Sequence, residues 1–141
     1  MAEERFRAEG LRKLLTAQKV ATMADLKEAL GTDVDMTVFR KLRELSYLTS
    51  YSHRSSYYSL TDVADFDGLG LWSFRSVWFS KFGTLVATAE ACVQSSEAGY
   101  FPDELQNVLH VEVKDVLRKL VQGRRLCREV VAGRYLYCSP T

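Results

Sequence analysis

Between Arg5 and Ala17, apolar residues fall at Phe6, Ala8, Leu11, Leu14 and Leu15, the i, i+3, i+4 spacing that gathers one stripe on an α-helix. Met23, Leu26 and Leu30 repeat that spacing over a shorter stretch. Thr22 followed by Asp25 has the form of a capping box with Asp in place of Glu, and Gly31 is a natural stop. A third helix is predicted over Asp35 to Ser46, with Asp35 as its N-cap. It would turn Val38, Phe39, Leu42 and Leu45 inward and Thr37, Arg40, Lys41 and Glu44 outward. From Tyr47 to Leu60 the period shortens, with Tyr47, Leu48, Thr49 and Tyr51 on one side of Ser52-His53-Arg54-Ser55-Ser56 and Tyr57, Tyr58 and Leu60 on the other. This predicts a β-hairpin.

The same order recurs in the last sixty residues. Lys81 to Ser96 predicts a helix with Leu85, Val86, Ala89 and Val93 inward, and Pro102 with Asp103 and Glu104 opens a short second one containing Leu105, Val108 and Leu109. Glu112 to Gln122 predicts a third, burying Val113, Val116, Leu117, Leu120 and Val121. Its Leu117-Arg118-Lys119-Leu120 matches Leu42-Arg43-Glu44-Leu45 at an offset of 75. Arg124 to Val131 and Arg134 to Ser139 then alternate like strands about a tight turn at Ala132-Gly133, which sets Cys127 opposite Cys138. Between the halves, Thr61 to Ser80 loses the helical period and carries Leu71, Trp72, Phe74, Trp78 and Phe79. That much apolar area, at about 25 cal/mol per Å², predicts a packed connector that cements the two modules or a homodimer.

Three helices followed by a hairpin, twice over, resemble the winged-helix form of the helix-turn-helix family. The expected fold is α+β and mainly helical, with modules at 1–60 and 81–141 joined by a connector at 61–80. The stretches Gly70-Leu71-Trp72, Phe79-Ser80-Lys81-Phe82-Gly83-Thr84-Leu85 and Gly133-Arg134-Tyr135-Leu136-Tyr137 are similar to small winged-helix proteins of bacteria and their mobile elements. The resemblance implies sequence-specific binding of double-stranded DNA, with each third helix in the major groove and each wing on the backbone or minor groove. Its regulatory setting would be transcription or a mobile element. The residues it points to are Thr37, Arg40, Lys41 and Arg54 in the first module, and Lys114, Arg118, Arg124, Arg125 and Arg128 in the second.

Charge distribution bears on that expectation more than total charge, which is only +1. Residues 37–60 hold Arg40, Lys41, Arg43 and Arg54 against Glu44, an excess of +3, whereas residues 1–36 hold six bases and seven acids. Residues 112–135 hold seven bases against Glu112, Asp115 and Glu129, an excess of +4. Cationic excess on helix and wing is what counterion release from phosphates requires. The acids on the third helices favour the alternative, a tandem winged-helix scaffold that binds a protein partner.

The chain is 141 residues long with 47% hydrophobic and 26% charged residues, a composition that folds throughout. A secretory leader and a membrane-spanning apolar run are both lacking in the sequence, and three irregularly spaced cysteines do not make a disulfide framework; the expected setting is cytoplasmic. Nucleophile elbows, phosphate-cradling glycine loops, carboxylate clusters and metal-ligand spacings are absent, so the expectation is a non-enzyme with no cofactor and no metal.

Overall fold

The computed structural model describes residues 6–140. Among them the fold is α+β, with six α-helices and small antiparallel sheets. The chain divides into two units, Met1–Phe79 and Ser80–Thr141.

In the first unit, α1 (Ala8–Gln18) buries Leu11 and Leu15; the predicted start at Arg5 lies outside the described residues. Strand β1 (Ala21–Thr22) leads into α2 (Met23–Leu30). The capping box forms: Thr22 Oγ1 accepts from the Asp25 N–H at 3.2 Å, and Asp25 Oδ2 accepts from the Thr22 N–H at 3.1 Å. Gly31, at φ +84°, ends the helix in the left-handed conformation that a Cβ would disfavour. Helix α3 (Asp35–Arg43) is shorter than its periodicity predicts, and Val34 holds the N-cap position expected for Asp35. Asp35 occupies the first turn instead, where its charge suits the helix dipole and pairs with Lys27. Strands β2 (Tyr47–Thr49) and β3 (Tyr57–Leu60) complete a sheet of order β1-β3-β2, with Ala21 opposite Tyr58 and Tyr47 opposite Leu60. Helices and sheet meet on Leu11, Leu15, Leu26, Val38, Leu42 and Leu60, all at 0% exposure. Each such side chain contributes about 1.5–3 kcal/mol.

The expected connector forms a further hairpin, made of β4 (Leu71–Phe74) and β5 (Val77–Ser80), which closes the first unit, with the last residue of β5, Ser80, opening the second. It is fastened by main-chain polarity: the Tyr51 N–H donates to the Trp78 carbonyl at 3.0 Å, and the Trp78 N–H donates to Ser52 Oγ at 2.9 Å. Its aromatics pack on one another, with Trp72 5.3 Å from Phe79 and 6.2 Å from Phe74 between ring centroids. Phe79 is buried, while Trp72, Phe74 and Trp78 are half-buried.

The second unit opens with α4 (Leu85–Ser95), capped by Thr84, whose hydroxyl accepts from the Ala87 N–H at 3.1 Å. Its buried positions are Thr88, Ala89, Cys92 and Val93. Val86, expected inward, is 42% exposed, because the buried stripe starts one turn later, where Thr88 satisfies its hydroxyl on Ser80 Oγ and the Thr84 carbonyl. Helices α5 (Pro102–Leu109) and α6 (Lys114–Gln122) follow, then β6 (Cys127–Val131) and β7 (Arg134–Cys138). The turn is the two-residue one, with Ala132 and Gly133 at φ +54° and +80°, and Cys127 faces Cys138 in the register. A lone bridge between Tyr100 and Tyr137 takes the place of β1.

Equivalent elements of the two units lie 79 positions apart: Met23–Leu30 becomes Pro102–Leu109, Asp35–Arg43 becomes Lys114–Gln122, and the Ala21–Tyr58 pair becomes Tyr100–Tyr137. The offset of 75 taken from the Leu-x-x-Leu match is therefore short by four residues. An apolar stripe repeats about every 3.6 residues, so a slip of one turn preserves the hydrophobic match.

Candidate nucleic-acid interface

In the second unit, the N-terminal ends of α5 and α6 and the β6–β7 hairpin surround a groove of about 580 Å³. Its walls include Lys114, Arg118, Arg128 and Arg134 beside Asp103 and Asp115. Helix α6 supplies Lys114 and Arg118 from its outer side, since Val113, Leu117 and Leu120 bury the other. The hairpin supplies Arg128 through strand alternation. Arg128 lies opposite Tyr137 and Val130 opposite Tyr135, so all four share a face. Tyr137 anchors that face at 5% exposure, whereas every residue of β6 is exposed.

The cations are not equivalent. Arg118 pairs with Asp115 at 3.3 Å, and Arg134 pairs with Asp103 while its guanidinium lies 4.1 Å from the Phe101 ring centroid. Arg128 lies 4.2 Å over the Tyr135 ring, and neither it nor Lys114 has an ion-pair partner among the described residues. Four cations against two acids leave the groove with an excess of +2. Arg134 and Tyr135 were missed as site residues by sequence reasoning. Their signal was the turn at Ala132-Gly133, which sets Val130 opposite Tyr135 and Val131 opposite Arg134.

Two expected site residues of this unit stand outside the groove. Arg125 forms a fork onto Glu90 of α4, with Nε and one terminal nitrogen 2.9 and 2.6 Å from the same carboxylate oxygen, so its charge is already compensated. Arg124 is exposed in the α6–β6 turn at φ +62° and does not line the groove.

In the first unit, the outer face of α3 carries Met36, Arg40 and Arg43, all exposed, with Thr37 half-buried beside them. Lys41, expected to project outward, is 4% exposed. On a helical wheel it sits about 60° from Val38, on the flank of the apolar stripe, so its aliphatic stem is covered while its ammonium reaches Glu44 Oε2 at 3.4 Å. That ion pair also offsets the one acid of the face. Arg54 is exposed at the tip of the β2–β3 connection, in a short 3₁₀ turn (His53–Ser55) where His53, Arg54 and Ser55 all have positive φ. His53 Nδ1 lies 2.8 Å from Ser52 Oγ, and its ring meets Tyr57 edge-on at 5.4 Å.

The three cysteines are free thiols. Cys138 is half-buried, with its Sγ 3.7 Å from Glu129 Oε1; burial, followed by the Glu129 charge, pushes its pKa up. Among the described residues no group of three or more acidic, His or Cys side chains is arranged to hold a metal ion, and no helix is long and apolar enough to cross a membrane. Compared with known proteins, the chain matches no family model, no curated protein and no solved structure.

Proposed function

We propose that the chain binds double-stranded DNA through two tandem winged-helix modules, as a regulator of transcription or an accessory protein of a mobile element. The observation that carries this reading is the groove in which Lys114, Arg118, Arg128 and Arg134 lie between α6 and a protruding hairpin. Helix, short strand or bridge, two helices and a hairpin, in that order in each unit, support it. In this geometry α3 and α6 enter major grooves, Arg40 and Arg43 reach base edges or phosphates, and Lys114 and Arg128 neutralise phosphates. Arg118 and Arg134 exchange carboxylate partners for phosphate. Exposed apolar side chains on the β6–β7 hairpin, Val130 at 68% and Tyr135 at 47%, favour the protein-scaffold alternative.

The test is duplex binding by fluorescence anisotropy between 50 and 200 mM salt, a span the wild-type chain should register clearly. Each phosphate contact contributes about 0.9 to the slope of log K against log salt. Lys114→Ala with Arg128→Ala should therefore lower the slope by about two, and Arg125→Gln, already outside the groove, should leave it unchanged. If the wild-type chain binds no duplex at 50 mM salt, the scaffold alternative replaces this reading; equal slopes in wild type and the double variant would remove the groove from the interface.

A further inference from the structure

A second cavity, of about 620 Å³, lies wholly within the first unit and takes no residue from α3. Its lining includes Lys19, Val20, Tyr57, Phe74, Arg75 and Val77, from the α1–β1 connection, strand β3 and the β4–β5 hairpin. We infer that this cavity is a binding site for a small organic anion with a flat apolar body, such as a nucleoside monophosphate or an aromatic carboxylate. DNA binding is not needed for the inference.

Both cations sit at backbone positions of positive φ. Lys19 caps α1 at φ +71°, where glycine is the usual residue, and Arg75 opens the two-residue turn Arg75-Ser76 at φ +51° and +68°. A lysine near a helix C-terminus suits the dipole, and a two-residue hairpin turn requires positive φ at Arg75 and Ser76, but neither reason calls for the two charges to meet at one cavity. Residues held at unusual φ and ψ by the structure around them cluster at ligand sites, and here the Lys19 N–H donates to the Leu15 carbonyl while its own carbonyl accepts from Ser59 Oγ. These two side chains, 56 positions apart in sequence, line one cavity. Among the described residues neither has an ion-pair partner, and the Arg75 guanidinium rests 5.4 Å from the Phe74 centroid.

The remaining walls are Ala17, Val20, Val77, Phe74 and Tyr57, with one polar side chain, Gln18, whose amide donates to the Val20 carbonyl and to Asp25. Two exposed positive charges beside two half-buried aromatic rings match an anionic head on a planar ring, and the volume is that of an ordinary small-molecule pocket. Tyr57 also touches the His53 ring, which gives the occupied state a reporter beyond the cavity wall.

The experiment is a titration of the full chain, followed by amide and aromatic NMR shifts, with adenosine 5′-monophosphate, benzoate and inorganic phosphate as separate probes. Saturable shifts at Tyr57, Phe74 and Arg75, spreading to His53, are expected from one or both aromatic anions, and which of them binds identifies the ligand source. Lys19→Gly and Arg75→Gly remove the charges while relieving the backbone, so both variants should melt no lower than wild type and bind at least tenfold more weakly. Three results overturn the inference: no saturable shift with either aromatic anion at millimolar concentration, inorganic phosphate binding as tightly as they do, or affinity unchanged in both glycine variants.

Discussion

Replacing Gly99 by alanine tests how the β6–β7 hairpin is held. Gly99 has φ +79°, and a Cβ there would stand 2.5 Å from the Tyr137 carbonyl oxygen and 3.3 Å from the Cys138 Cβ. The neighbour that must give is backbone, the same carbonyl that accepts from the Tyr100 N–H at 2.8 Å while the Tyr137 N–H returns a bond to Tyr100 at 2.9 Å. The left-handed conformation costs an alanine about 1–2 kcal/mol. Displacing β7 forfeits two bonds of about 0.5–1.5 kcal/mol each. The expected loss is therefore about 2–5 kcal/mol, a large share of a small unit's stability. Gly133 is the control: its φ is +80° but nothing lies within 4 Å of the added carbon, so Gly133→Ala should lose only the conformational part. The difference between the variants, about 1–3 kcal/mol, isolates the close approach; at an m-value of about 1–3 kcal/mol per molar it separates their urea midpoints by roughly 1 M. Hydrogen exchange at the Tyr100 and Tyr137 amides should accelerate in Gly99→Ala alone. Coincident midpoints and equal exchange for the two variants would refute the docking argument. Because β7 carries Arg134 and Tyr135, the same substitution should also weaken duplex binding although Gly99 carries no charge.

Thr22→Ala removes the hydroxyl that accepts from the Asp25 N–H and should destabilise the first unit by about 1 kcal/mol, read as a lower urea midpoint, whereas Thr22→Ser should restore it. Tyr58 and Tyr100 have pKa values raised above 10.0, in each case by burial first, and Cys138 has one raised above 9.0. A folded-state pKa above the unfolded one favours the neutral form in the fold, so this stability is full below the unfolded values and is lost as pH rises through the folded ones. Unfolding free energy should fall beyond pH 9 and more steeply beyond pH 10, and Tyr58→Phe with Tyr100→Phe should flatten the later limb.

The amino-acid sequence by itself determined what depends on near neighbours. Thr22 and Asp25 close a capping box because donor and acceptor lie three residues apart, and Gly31 stops α2 because it alone lacks a Cβ. The two-residue turn at Ala132-Gly133 sets Cys127 opposite Cys138, since a hairpin's register follows from its loop. Tertiary structure decided what depends on distant partners. Helical periodicity assigns a face only to within a flank, so Lys41 was settled by what packs beside Val38, and Val86 by where α4's stripe begins. Arg125 was withdrawn from the groove by Glu90, 35 positions earlier, and Arg134 was brought into it beside Asp103, 31 positions earlier. Residues 71–80 became a hairpin because Tyr51 and Ser52 present it with main-chain and hydroxyl partners across the fold. A local pattern records which side of an element is apolar; charges, free to pair with anything within reach, take their roles from the chain's return path.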